Sequence, residues 1–179
     1  MVESIQEPAL QTEQVTTAAA QGNAADASTS EDPYAFFNRI GRPKFLVAPM
    51  VDQSELPYRI LTRRYGAQLC YTPMFHAKMF STCEKYRATN FKPCKEYRPL
   101  VVQFCANDPD ILLAAAKLVE NDADAVDINL GCPQGIAKRG QYGSFLLDKK
   151  DLIVSMVSKL HAELKIPVTC KIRCLPTEE

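Results

Sequence analysis

The chain has 179 residues, enough for about one domain, and its apolar (46%) and charged (23%) fractions are ordinary for a globular protein. Its 21 Lys and Arg residues balance its 21 Asp and Glu residues, so the chain has no overall positive charge to attract nucleic acid. Nucleic-acid binding would therefore need a local basic patch. No apolar stretch approaches the roughly 20 residues of a membrane span, and the N-terminus lacks a secretory signal pattern.

The first part of the chain differs in composition from the rest. Residues 1–32 are rich in Ala, Gln, Thr, Ser, Glu and Asp, with little apolar periodicity. Such a segment buries too little apolar surface to offset the entropy of ordering it, so we expect a disordered tail. Its acidic residues are unlike a typical transit peptide. We therefore expect the structured part to span residues 33–179.

Alternating strand and helix patterns begin near residue 44. Apolar runs predict five strands, at residues 45–48, 68–71, 100–104, 125–129 and 167–172. Amphipathic stretches predict helices capped by Ser54 and ending near Tyr65, from Asp108-Pro109 to about Val119, and from Asp148 to Leu164. A short helix is predicted within residues 74–80, and residues 138–143 form a basic, glycine-punctuated loop.

This alternation predicts an α/β protein with parallel strands and right-handed crossovers. Five strands fit either a doubly wound sheet or the first part of a (β/α)8 barrel, and no glycine-rich nucleotide-binding motif supports the open sheet. Half a barrel would leave a parallel edge strand uncovered, although parallel sheets are normally buried. A complete barrel takes about 250 residues, more than this chain supplies. We therefore interpret residues 33–179 as the N-terminal part of a TIM-like barrel and expect an incomplete form.

Seven cysteines are spread along the chain, at positions 70, 83, 94, 105, 132, 170 and 174. Their odd count and wide spacing give no disulfide framework, and the absence of a CxxC pair gives no support for a metal site. Reduced thiols in a cytoplasmic or nuclear protein are the simplest interpretation.

Polar or geometrically special residues follow most of the predicted strands. They are Pro49, Met50 and Val51 after the first strand, Gln103 near the end of the third, Asn129 and Cys132 at the fourth, and Lys171 and Arg173 at the fifth. In a barrel the carboxyl ends of the strands converge on one face, where catalytic residues lie. Backbone amides, carboxamides and a cation around one cleft suit the polar ring of a flavin.

The ordered set of these segments resembles the tRNA-dihydrouridine synthase family over about residues 40–175. The segments that carry the resemblance are Ala-Pro-Met-Val-Asp (48–52), Val-Gln-Phe (102–104), Asn-Leu-Gly-Cys-Pro (129–133), Arg-Gly-Gln-Tyr-Gly (139–143) and Lys-Ile-Arg (171–173). The run from residue 127 to residue 147 is most similar to the eukaryotic branch that acts at positions 16 and 17 of the tRNA D-loop.

The resemblance implies a flavin-binding barrel followed by a small helical tRNA-binding domain. FMN, reduced by NADPH or NADH, would deliver hydride to C6 of a flipped-out uridine, and Cys132 would protonate C5 as the general acid. A free thiol ionises at about pH 8.5 and so stays protonated near neutrality, which suits that role. The resemblance assigns flavin contacts to Pro49, Met50, Val51, Gln103 and Lys171, and uracil contacts to Asn129 and Arg173.

Other interpretations of the same residues remain open. Lys138 and Arg139 would hold tRNA phosphates, or they form a solvated surface. The chain could also be a non-catalytic RNA-binding remnant, or another flavin barrel, such as one similar to dihydroorotate dehydrogenase, that acts on a free pyrimidine. Because strands later in the family barrel hold the flavin phosphate, we expect the 179-residue chain alone to bind FMN poorly and to make no dihydrouridine.

Overall fold

A computed structural model describes residue 32 and residues 34–174. The expected disordered tail lies outside these residues, except for its last position. Six strands are described: β1 Leu46–Val47, β2 Leu69–Tyr71, β3 Phe75–His76, β4 Leu100–Cys105, β5 Ala125–Asn129 and β6 Val168–Lys171. The α-helices are α1 Ala35–Arg39, α2 Leu56–Arg64, α3 Ala77–Thr82, α4 Glu84–Asn90, α5 Pro109–Lys117, α6 Gly135–Gly140 and α7 Lys150–Glu163. Short 3-10 turns occupy Lys95–Tyr97 and Gly143–Leu146.

All strand pairs are parallel, and the sheet order is β1-β2-β4-β5-β6, with β3 also paired to β4. The sheet curls as about half of a (β/α)8 barrel, which confirms the α/β fold class. None of the described helices is both long and apolar enough to cross a membrane.

Strands β2 and β3 are two halves of one strand interrupted at Pro73. Tyr71 pairs with Val101, whereas Phe75 pairs with Phe104, so the interrupted strand contains one more residue than β4 over this interval. Proline has no N–H to give to a sheet ladder, and an extra residue bends the strand locally. The sequence predicts a short helix within residues 74–80. Phe75 and His76 instead pair with β4, and the helix α3 begins at Ala77.

The outer face of the sheet packs against helices. Alternate side chains of β4 and β5 point outward to contact α3, α5 and α7 in one continuous core, which includes Val102, Phe104, Val126, Ile128, Leu112, Met156 and Leu160. Asp108 caps α5, since its carboxylate accepts hydrogen bonds from Asp110 N at 2.9 Å and Ile111 N at 3.0 Å. This cap and the core-facing residues of α7 confirm the corresponding sequence predictions.

The inner face of the sheet carries rows of side chains that follow from the strand register. The lowest row is apolar and contains Tyr71, Val101 and Ala125, which pack near α1. The next row is polar and contains Gln103, Asp127 and Thr169. The row nearest the carboxyl ends of the strands contains Asn129 and Lys171. A barrel interior is normally filled by branched apolar side chains, so the polar row marks the functional end of this one.

Two further local predictions need correction. Ser54 does not cap α2, because the helix begins after Glu55. The Ser54 hydroxyl instead accepts from Met50 N and donates to Met50 O, both at 2.9 Å, and so closes the turn after β1. Residues 138–143 are only partly a loop, since Lys138 and Arg139 belong to α6.

Candidate active site

A cleft of about 310 Å³ opens at the carboxyl ends of the strands. It is lined by Pro49, Val51, Gln53, Met74, Gln103, Asn129, Gly131, Cys132, Gln134 and Lys171. Residues from the ends of β1, the interrupted strand, β4, β5 and β6 therefore meet in one place. Six of the residues that the sequence singled out line this cleft, namely Pro49, Val51, Gln103, Asn129, Cys132 and Lys171.

Asn129 fixes the corner that carries Cys132. Its Oδ1 accepts hydrogen bonds from Gly131 N at 3.0 Å and Cys132 N at 2.9 Å. An asparagine side chain that accepts from the next backbone amides forms a tight local turn. This turn directs the chain away from the strand immediately after β5, and it leaves Cys132 half-buried at the cleft wall.

The carbonyl of Cys132 is held by the segment that follows α6. Ser144 donates to Cys132 O from its backbone N at 3.0 Å and from its hydroxyl at 3.1 Å. Gly143 makes this approach possible, because its φ is +69° and a Cβ there would lie 2.5 Å from Cys132 O. Only glycine fits both the conformation and the space. The backbone of Cys132 is thus fixed on its N–H side and on its carbonyl side.

The floor of the cleft is a buried hydrogen-bonded chain. Gln103 is 0% exposed and Asp127 is 1% exposed. Asp127 accepts from Thr169 Oγ1 and from Gln103 Nε2, each at 2.7 Å. Gln103 Oε1 in turn accepts from Asn129 Nδ2 at 3.0 Å. Burial raises the pKa of the Asp127 carboxyl, and the hydrogen bonds from Thr169 and Gln103 and the nearby charge of Lys171 oppose that rise.

The turn after β1 forms a further wall. Pro49 and Val51 line the cleft, whereas Met50 does not, although its backbone is held by Ser54. Asp52 adopts a left-handed conformation with φ +58°. A side chain in that region is strained, and the buried hydroxyl of Ser54 provides the bonds that maintain the turn.

The predicted cations lie in different surroundings. Lys171 is exposed at the end of β6 and lines the cleft. Arg173 lies beside it and donates from Nη1 to Gly131 O at 3.3 Å, without lining the cleft. Lys138 and Arg139 are exposed on α6, also outside the cleft lining. The described residues therefore place one predicted cation in the cleft and three near its rim or on the adjoining helix.

Cys132 differs from the other cysteines in position. All seven lie within the described residues and are free, and Cys132 is the one that lines this cleft. Cys105 lies behind it, packed with Ala137 and Tyr142, and burial raises the pKa of the Cys105 thiol to about 12. Cys132 is thus an accessible thiol, whereas Cys105 is a buried, inert one.

Sequence reasoning missed several residues of the site. The pattern of polar residues at strand ends gives Asp127 no role, although it lies in the same strand as Asn129. Thr72 was also missed, and its hydroxyl accepts from Gln103 N at 3.1 Å. Alternation along β5 puts residues 125, 127 and 129 on one face, so the signal for Asp127 was present in the strand pattern. No group of three or more His, Cys, Asp or Glu side chains among the described residues is arranged to hold a metal ion.

The fold and the cleft define a class: part of a (β/α)8 barrel with a polar site at the carboxyl ends of its strands. Residues 46–178 match the family model described as dihydrouridine synthase (Dus). The chain belongs to the dihydrouridine synthase family.

Curated relatives support this assignment. The chain is 65% identical over 140 residues to the tRNA-dihydrouridine(16/17) synthase [NAD(P)(+)] of Saccharomyces cerevisiae. This match covers 76% of this chain and 33% of the relative. It is 61% identical over 143 residues to the protein of that name from Schizosaccharomyces pombe, covering 79% and 36%. A tRNA-dihydrouridine(16/17) synthase [NAD(P)(+)]-like protein of Rattus norvegicus is 54% identical over 146 residues, covering 80% and 33%. The chain thus spans about a third of the length of these relatives.

Proposed function

We propose that the protein reduces uridine to 5,6-dihydrouridine in the D-loop of tRNA, with FMN as its flavin and NADPH or NADH as the reductant. Membership of the dihydrouridine synthase family and relatives whose names specify tRNA positions 16 and 17 support this proposal. The observation that carries it is the position of Cys132, a half-buried thiol in a cleft that is also lined by a lysine and four carboxamides. The proposed place of action is the cytoplasm or nucleus, where tRNA is found.

The chemistry of the cleft fits a flavin ring. Its lining combines the backbone turn at Pro49 and Val51, the carboxamides of Gln103 and Asn129, and the exposed cation of Lys171. Both polar atoms of Gln103 are already paired, which leaves the second hydrogen of its Nε2 for a group that covers the floor. When bound, a flavin supplies hydride chemistry that amino-acid side chains lack. These residues are the ones we propose hold it, and Met50 contributes through the turn that it closes with Ser54.

The role proposed for Cys132 is the delivery of one proton. Addition of hydride at C6 of uracil leaves negative charge on C5 and the C4 carbonyl, and an acid must then protonate C5. A thiol on the cleft wall, with its backbone fixed on both sides, is suited to hold that proton in place. Lys171 stabilises negative charge in the cleft.

Substrate contacts are proposed for four residues. Asn129 and Arg173 lie at the same corner as Cys132, and we propose that they face the uracil. Lys138 and Arg139 are exposed on α6, which begins three residues after Cys132, and we propose that they contact phosphates of the tRNA backbone. Such contacts position RNA without reading its sequence, so they would affect binding more than the chemical step.

The test separates the two half-reactions of Cys132→Ala, in the longest form of the protein that its gene encodes. Reduction of bound flavin by NADPH should stay within about twofold of wild type, whereas dihydrouridine formation in an unmodified tRNA transcript should fall at least about 100-fold, the range for loss of a general acid. Cys83→Ala is the matched control, because Cys83 lies between α3 and α4 and does not line the cleft.

Three results would contradict the proposal. Equal loss of both half-reactions would make Cys132 structural. Reduction of orotate or free uracil in place of tRNA would indicate another pyrimidine oxidoreductase of the barrel class. Tight tRNA binding by wild type without any dihydrouridine would indicate a binding protein that is not an enzyme.

A further inference from the structure

The buried carboxylate of Asp127 has no part in the mechanism described above. It is 1% exposed and lies in the polar row of the barrel interior, between Gln103 on β4 and Thr169 on β6. Both of its oxygens accept a hydrogen bond of 2.7 Å. A buried carboxylate is costly to maintain unless it is paired, and a polar chain in this position constrains the direction of every group in it.

The hydrogen-bonded chain has one direction from end to end. Asp127 offers only acceptor oxygens when ionised, so Gln103 must present its NH2 group to it. Gln103 Oε1 then faces Asn129 and accepts from Asn129 Nδ2. Asn129 is left with Oδ1 facing the amides of Gly131 and Cys132, which require an acceptor. The Asn129 orientation that the amides of Gly131 and Cys132 require is therefore the same orientation that Asp127 imposes through Gln103.

We propose that Asp127 is a positioning residue: it fixes the Gln103 and Asn129 carboxamides in one orientation and thereby holds the backbone corner that carries Cys132. The two amides could otherwise rotate by half a turn, which would aim an NH2 group of Asn129 at two N–H groups. Asp127 does not line the cleft, whereas Gln103 and Asn129 do, so its effect reaches the cleft through these two carboxamides. This inference rests on the proposed function for its kinetic consequences, but its structural consequence is independent of that function.

Two substitutions at Asp127 distinguish orientation from charge. Asp127→Leu removes both acceptors and frees Gln103 to rotate. Asp127→Asn removes the charge and still allows acceptance from Gln103 Nε2, because its own NH2 group can donate to the Thr169 hydroxyl. The first readout is amide hydrogen exchange at Gly131 and Cys132, followed by NMR. Exchange should accelerate about tenfold in Asp127→Leu and return to within about threefold of wild type in Asp127→Asn, as expected for loss and recovery of one hydrogen bond.

The kinetic readout uses the longest form that the gene encodes. In Asp127→Leu, kcat for dihydrouridine formation should fall at least about 30-fold with the KM for tRNA within about twofold, and Asp127→Asn should recover most of the loss. Asp151→Asn is the control, since Asp151 is exposed in the first turn of α7, away from the cleft. If wild type makes no dihydrouridine, the proposed function fails, whereas hydrogen exchange still tests the role of Asp127.

A milder variant covers the case in which Asp127→Leu does not fold. Thr169→Val removes one of the two donors to Asp127, and exchange at Cys132 should accelerate about threefold. Unchanged exchange in a folded Asp127→Leu or Thr169→Val protein would overturn the proposal. Equal impairment in the Leu and Asn variants would also overturn it, because the charge and not the orientation would then be what matters.

Discussion

Replacement of Asn129 by alanine tests how firmly the Cys132 corner is held. The substitution removes three hydrogen bonds, to Gly131 N, Cys132 N and Gln103 Oε1. At about 1 kcal/mol net for each bond, the free energy of unfolding should fall by about 3 kcal/mol. For a chain of this length, a loss of that size lowers the melting temperature by about 6–12 °C. Dihydrouridine formation should fall together with stability, because the corner loses the acceptor that positions it.

Urea unfolding followed by circular dichroism measures this loss, with two comparison variants. Asn129→Asp keeps an acceptor for the two backbone amides but has no donor for Gln103 Oε1, so its loss should be smaller, about 1–2 kcal/mol. Asn90→Ala removes one exposed bond on α4, to Tyr86 O, and should change stability by no more than about 0.5 kcal/mol. If Asn129→Ala costs no more than Asn90→Ala, the Asn129 bonds do not hold the corner and the reasoning is wrong.

Three further predictions concern the same region. Gly143→Ala should lower the free energy of unfolding by about 2 kcal/mol or more and impair dihydrouridine formation, because the added Cβ would be strained at φ +69° and would press on Cys132 O. With iodoacetamide at pH 8, mass spectrometry should find Cys132 labelled much faster than Cys105, whose pKa is raised by burial to about 12; comparable rates would contradict this. The raised pKa of Asp127 means that the native state binds more protons than the unfolded state between the ordinary value of about 3.9 and the folded value. Relative to Asp127→Asn, the wild type should therefore lose stability in urea titrations as pH rises from 4 to 7.5, and a relative gain would show that Gln103, Thr169 and Lys171 outweigh burial.

Much of the fold could be predicted because its elements follow local rules. The apolar run at residues 125–129 became a buried strand as expected, and Asp108-Pro109 began a helix in the predicted way. The interrupted strand could not be predicted, because Phe75 and His76 belong to the sheet only through pairing with β4. Ser54 fails for a different, local reason: its residue type favours a helix cap, but its hydroxyl bonds instead to the backbone of Met50, four residues earlier.

The candidate site was predicted from the rule that functional residues lie at the carboxyl ends of barrel strands, which finds residues that reach the surface of a cleft. This rule predicts Cys132, Asn129 and Lys171, which do lie together. The rule passes over Asp127, since a residue two positions before the strand end is expected to be core. Its partners on β4 and β6 are distant in sequence, so only the strand register reveals that three polar side chains share one row.

The buried polar row connects the stability of the barrel with the geometry of the cleft. An unpaired carboxylate or amide in this position would destabilise the fold, so each member must keep its partners for the strands to pack stably. The same partners determine which way Asn129 points and hence where the backbone of Cys132 lies. Substitutions in the row should therefore affect folding and chemistry together, whereas substitutions of exposed residues such as Lys138 should affect RNA binding without changing stability.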